Sequence, residues 1–141
     1  WNPLAGGNAL LVLEGHTDRV AGVTAYVADG EPRVVSCSRD KTLRLWSPTS
    51  GGEALPALEG HSDWVRGVTA FITADSGEAH VVSCSDDTTL RVWNPLAGGE
   101  ALVVLEGHTN TVFGVTAFVT GDGEPRVVSC SRDGTLRFWN P

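Results

Sequence analysis

Short apolar, β-branched runs alternate with turn residues along the whole chain, and none has the length or the 3.6-residue period of a helix. Residues 19–27 (RVAGVTAYV), 33–38 (RVVSCS), 42–46 (TLRLW) and 54–59 (ALPALE) predict four short strands. Asp29-Gly30 makes a hairpin tip between the first two. Arg39-Asp40-Lys41 turns the second into the third, and Gly51-Gly52 leads to the fourth. Pro56 sits in the fourth run, where the other copies of that run carry Leu11 and Val103. Proline has no N–H to give to a ladder, so this run belongs on an outer edge.

The four-run pattern recurs three times. Trp1, Trp46, Trp93 and Trp139 are spaced by 45, 47 and 46 residues, and Gly15-His16, Gly60-His61 and Gly107-His108 keep step. Each Trp stands 15 residues before the next His, and Asp40, Asp87 and Asp133 stand 6 before their Trp. The slack is confined to the hairpin tips at Asp29-Gly30, Asp75-Ser76-Gly77 and Asp122-Gly123. The opening Trp1-Asn2-Pro3 returns as Trp139-Asn140-Pro141.

A period near 46 with four strands, a Gly-His pair and a terminal Trp resembles the WD-repeat β-propeller. The resemblance covers the whole chain. It implies an all-β fold of four-stranded antiparallel blades, three per chain. The units run approximately 15–59, 60–106 and 107–141, the last completed by a strand at 4–14. One departure is plain: the Asp expected after the Trp is Asn2, Ser47, Asn94 and Asn140. That position ends a strand, so little effect on the fold is expected.

Each unit carries His, Ser and Asp, which in isolation would point to nucleophilic catalysis. In the family resembled, the same residue types join the Trp in a buried hydrogen-bonded tetrad. Carried over, the members are His16, Ser38, Asp40 and Trp46, then His61, Ser85, Asp87 and Trp93, then His108, Ser131, Asp133 and Trp139. Ser36, Ser83 and Ser129 lie two residues earlier on the same strand face and compete for the serine role. Three copies in adjacent blades fit a repeated brace better than an active site, and no Gly-rich nucleophile turn surrounds these serines. An enzyme is therefore not expected, and a hydrolase ranks last among the readings. His and Asp occur singly per blade, so no metal site is expected, and no cofactor. His80 stands where Arg33 and Arg126 stand in the other units and reads as a solvated residue at a strand start.

Cys37, Cys84 and Cys130 fill one position of Val-Val-Ser-Cys-Ser. Equivalent positions in different blades do not make a disulfide framework. All three are expected to be reduced, buried and slow to react, which fits a reducing compartment such as the cytoplasm. The net charge of −7 lacks the cationic surplus that phosphate backbones require, so nucleic acid is not an expected partner. Membrane association is not expected either, since no apolar run reaches spanning length and no leader-like segment opens the chain. The sequence contains no Met, which reads as a piece excised or processed from something longer.

Comparison among the units separates fixed positions from free ones. Gly-Val-Thr-Ala, Val-Val-Ser-Cys-Ser and Thr-Leu-Arg barely change, whereas three positions at one end of the blade vary sharply. They hold Arg19, Trp64 and Thr111; Ala21, Arg66 and Phe113; and Arg39, Asp86 and Arg132. In the resembled propellers these places correspond to the rim of the face that meets partners. Arg19, Arg39, Trp64, Arg66, Phe113 and Arg132 thus form the candidate partner-binding set, rich in the residue types of interface hot spots. The expected function is a protein- or peptide-binding scaffold whose partner carries acidic or aromatic groups. The alternative is a purely structural ring-forming repeat fragment, excised or engineered, with no ligand of its own.

The ends of the chain carry a further expectation. Residues 9–14 read as a fourth strand with no third strand before it, and residues 135–139 read as a third strand lacking a fourth. The two orphans match the continuous segment 94–108. They are expected to pair between chains and close a head-to-tail homo-oligomeric ring. A homodimer gives six blades at about 60° each and a homotrimer nine at about 40°. The trimer is expected, because nearly parallel blades suit the bulky Tyr26, Phe71 and Phe118 on the innermost strands.

Overall fold

A computed structural model of the chain describes residues 9–52 and 54–141. Trp1, Asn2, Pro3 and the first half of the expected 4–14 strand lie outside the described residues. Among the described residues, ten strands form three antiparallel sheets. The first sheet holds β1 (Val20–Ala28), β2 (Glu31–Ser38) and β3 (Leu43–Trp46). The second holds β4 (Val65–Ile72), β5 (Ala79–Ser85), β6 (Leu90–Trp93) and β7 (Val103–Leu105). The third holds β8 (Val112–Val119), β9 (Pro125–Ser131) and β10 (Leu136–Trp139). In the first sheet the fourth run adds only isolated bridges, Leu43 to Leu58 and Trp46 to Ala54. Pro56 stands between those bridges, and its missing N–H divides the strand. A short 3₁₀ turn, Pro48–Ser50, leads into the run and ends on Gly51 in the left-handed region.

Two local devices repeat in every sheet. The first is a bulge at Ala21, Arg66 and Phe113, where the register between the first and second strands slips by one residue. The second is the turn after the tetrad Asp. Lys41, Thr88 and Gly134 occupy equivalent positions there, all with left-handed backbone (φ 72, 73 and 83°). The Asp side chain pins this turn by accepting the N–H two residues on, as Asp40 does from Thr42 at 3.0 Å.

The apolar core lies between sheets, not within one. Strand β1 packs beside β4, and β4 beside β8. Val35, Cys37, Leu43 and Leu45 from the first blade meet Val65, Val81 and Trp93 from the second. The equivalent set, Val82, Cys84, Leu90 and Val92, meets Val112 and Val127 from the third. Glycine on the innermost strands makes room for the thiols: a Cβ on Gly22 would stand 3.1 Å from Cys37 Sγ, and one on Gly67 3.0 Å from Cys84 Sγ.

Each outer sheet is left with one unmatched face. On the third blade, Leu136 is 68 % exposed and Phe138 73 %, where their equivalents Leu90 and Val92 are buried. On the first blade, Val20 is 57 % exposed, where Val65 and Val112 are fully buried. The expectation that all three thiols are buried is corrected here. Cys37 and Cys84 are buried, but Cys130 is exposed, because among the described residues no further blade covers its side of the sheet. Residues 9–14, expected to pair as a strand with the edge of another copy, meet no such edge within one chain. These residues form no strand. They lie instead against their own first blade, with Leu11 and Leu13 methyls within 3 Å of where a Cβ on Gly52 would stand. A strand needs a ladder partner, and within one chain the free edge of β10 is not beside this run.

Candidate functional site

In each blade the Gly-His pair brings the entering chain across the second and third strands. His16 places Nδ1 2.8 Å from Asp40 Oδ2 and Nε2 2.7 Å from Ser36 Oγ, and Trp46 Nε1 donates to the same Ser36 Oγ at 2.8 Å. The second blade repeats this with His61, Asp87, Ser83 and Trp93, and the third with His108, Asp133, Ser129 and Trp139. One proton assignment satisfies every atom: the indole N–H donates to the serine oxygen, the serine O–H to Nε2, and Nδ1–H to the carboxylate.

The serine assignment from sequence is corrected by this geometry. Ser38, Ser85 and Ser131 are not in the network. Their hydroxyls donate to the carbonyls of Asp18, Asp63 and Asn110, and accept the N–H of Asp40, Asp87 and Asp133. The register explains the choice. Trp46 stands opposite Val34, so its ring reaches diagonally to residue 36, while Ser38, the last residue of β2, lies two positions farther along the strand. A further member was not singled out from sequence: Thr42, Thr89 and Thr135 donate to the second carboxylate oxygen at 2.7 Å. Their constant place two residues after the Asp was the available signal.

Burial by itself would raise the pKa of Asp40. The hydrogen bonds from Thr42, His16 and the Thr17 N–H outweigh it and hold the carboxyl at about 2. Asp87 and Asp133 are likewise held well below the ordinary carboxylate range, their own bonds again overcoming burial. The Asp-His-Ser order is that of a nucleophilic triad, yet the chemistry does not follow. Ser83 is fully buried and Ser129 nearly so, and each serine oxygen already holds an indole N–H. In the second and third blades a substrate has no approach to that oxygen, whereas Ser36 borders a cavity with His16 and Trp46. Among the described residues, no group of three or more His, Cys, Asp or Glu is placed to hold a metal ion. No helix among them is long and apolar enough to cross a membrane.

The variable positions lie at the tetrad end of the blades. The bulge sets the side chains of Ala21, Arg66 and Phe113 out of the alternating pattern, which is how a bulge re-aims a residue. The guanidinium of Arg39, from the first blade, lies 3.3 Å over the ring of Trp64 in the second, and that of Arg66 lies 4.9 Å from it. Arg66 also forms a two-pronged pair with Asp86, at 2.8 and 2.6 Å. That bond holds the Asp86 carboxyl below its ordinary pKa, helped by the Thr111 hydroxyl and the nearby charge of Arg39. Backbone bonds fix Arg39 to Arg19 (3.0 Å) and Arg132 to Thr111 (2.9 Å). Phe113 is half-exposed, and Arg19 and Arg132 are exposed. The structure therefore brings Arg39, Trp64 and Arg66 into direct contact, and puts Arg19, Phe113 and Arg132 at the equivalent positions of the outer blades.

His80 lies flat against Phe71, ring centroids 5.2 Å apart, with its Nδ1 buried and unpartnered. It is thus partly packed and not the freely solvated residue expected. Two comparisons with known proteins bear on the whole chain. The family model described as WD domain, G-beta repeat matches three times, over residues 7–47, 52–94 and 99–140. No curated protein matches the chain.

Proposed function

Because the chain belongs to the WD domain, G-beta repeat family, we propose that it is a protein- or peptide-binding scaffold that presents the rim of a propeller face. Repeats of this family generally serve as interaction scaffolds and are typically non-enzymatic. The observation that carries the reading to this chain is the cluster of Trp64 between Arg39 and Arg66 on the variable end of the blades. An indole flanked by two guanidinium groups offers an apolar plane with positive charge at its margin. That arrangement fits a peptide with an acidic group next to an aromatic one. Phe113 extends the plane into the third blade, and Arg19 and Arg132 extend the charge. On a body of net charge −7, these arginines make the rim locally basic.

The scaffold works as a closed ring of copies. The open face of the third blade has the same positions that fill the two internal cores, and the open face of the first blade has their counterparts. A head-to-tail homotrimer of nine blades is preferred over a homodimer of six, with residues 9–14 of one copy laid along β10 of the next. The rim reading is tested by selecting peptides against the whole chain from a display library. Selected sequences should pair acidic with aromatic residues, and Trp64→Ala should weaken them by about 2 kcal/mol or more. Undiminished binding by that variant would overturn the reading. Enrichment of no peptide at all would favour a purely structural ring.

A further inference from the structure

The charged groups around Trp64 are unevenly committed. Arg66 is tied to Asp86, its Nε and one terminal nitrogen meeting both carboxylate oxygens at 2.8 and 2.6 Å. Arg39 has no such partner. Its guanidinium lies 3.3 Å over the Trp64 ring, its Nε is buried without a hydrogen bond, and it forms no ion pair among the described residues. Stacking on a ring leaves the in-plane N–H edge of a guanidinium open and fixes where that edge stands. The acids nearby are engaged elsewhere. Asp40 is held by His16 and Thr42, Asp18 by the Arg19 N–H at 2.6 Å, and Asp63 by the Trp64 N–H at 2.8 Å. Asp86 is near enough to feel the charge of Arg39, but both its oxygens are taken by Arg66. Asp86 is thus an acidic ligand of Arg66 that the chain itself supplies. The other blades carry Arg39 and Arg132 at the same position, so the acid is particular to the second blade.

We propose that Arg39, stacked on Trp64, reads a carboxylate of the partner, and that Asp86 limits the site to one such acid by keeping Arg66 occupied. The inference deepens the rim reading above and rests on it. A peptide with one acidic side chain meets a preorganised guanidinium and breaks no bond to bind it. A second carboxylate reaches Arg66 only by displacing Asp86, which leaves that partly buried acid without its partner.

Three capped tripeptides titrated into the full chain test this, followed through the Trp64 indole N–H resonance: Gln-Phe-Gln, Glu-Phe-Gln and Glu-Phe-Glu. The first acid should tighten binding about fivefold, and the second should add less than about twofold. In Arg39→Gln the one-acid and neutral peptides should bind alike. Asp86→Asn releases Arg66, so there the second acid should add about fivefold. The position accepts the change, since the other blades fill it with Arg. Gln-Phe-Gln with a free C-terminal carboxylate separates the sources of the acid. Binding equal to that of Glu-Phe-Gln assigns any single carboxylate, and binding at the neutral level assigns a side chain. A full gain from the second acid in the unaltered chain overturns the proposal and leaves peptide binding standing. So does an acid preference that survives Arg39→Gln, or an Asp86→Asn gain as large for one acid as for two, which would be a general effect of charge. No shift of the Trp64 resonance with any peptide overturns the rim reading, and the inference with it.

Discussion

A tetrad joins three parts of the chain through side chains largely withdrawn from water. Removing its centre leaves an indole N–H, a hydroxyl and a carboxylate oxygen short of partners. His61→Ala should therefore cost about 1–3 kcal/mol in urea unfolding. The corrected serine role has its own test. Ser83→Ala should shift the Trp93 indole N–H resonance, and Ser85→Ala should leave it in place, since only Ser83 accepts that proton. Acid should act through the same groups. The carboxyl of Asp40 falls from 3.8 to about 2 on folding, and those of Asp87 and Asp133 are also lowered. Between those values the unfolded chain binds more protons, so stability rises with pH across that window. It should be complete above about pH 4 and lost as pH falls through about 2. A urea midpoint unchanged between pH 5 and pH 2 would contradict the lowered carboxyls. The His, Asp and Trp of each network were legible because their offsets repeat. The serine was not, because two serines share one strand face and only the cross-strand register distinguishes them.

Strand elements follow the period-two pattern wherever a partner edge exists. The hairpin tips were legible as Asp-Gly, and Asp29 and Gly30 both take positive φ, as a tight two-residue turn requires. The broken fourth run of the first blade was legible from Pro56. Residues 9–14 differ because the edge expected to partner them belongs to another copy. The run has the composition of its copies at 54–59 and 101–106, but composition supplies no hydrogen-bond partner. Leu10 and Val12 remain exposed there. The turn after the tetrad Asp gives a test at this scale. Thr88 is β-branched in a left-handed position that the third blade fills with Gly134. Thr88→Gly should stabilise the chain by about 0.5–1 kcal/mol, because the relief of strain exceeds the added freedom of the unfolded chain. A lower melting temperature for this variant would mean that the Thr89 and Asp87 bonds depend on Thr88 itself.

Across the described residues, three blades contain two complete cores and leave an open apolar face on each outer sheet. The thiols report on this directly. Burial pushes the Cys37 thiol up to about 12 and the Cys84 thiol higher still, so both should resist a thiol reagent until the chain unfolds. Cys130 lies on the open face. It should be protected like Cys84 at concentrations that favour assembly, and should react rapidly on dilution. Equally fast labelling of Cys130 under both conditions would mean that its face stays open. Blade count per chain was legible from the Trp spacing. The exposure of Cys130 was not, because equivalence within a repeat presumes a neighbour on each side, and among the described residues the third blade has none on that side. The most direct test of the account is absolute mass by light scattering after size exclusion. The account predicts three times the chain mass of 14.9 kDa. A twofold mass would contradict the nine-blade count, and a folded species at 14.9 kDa would contradict ring closure altogether.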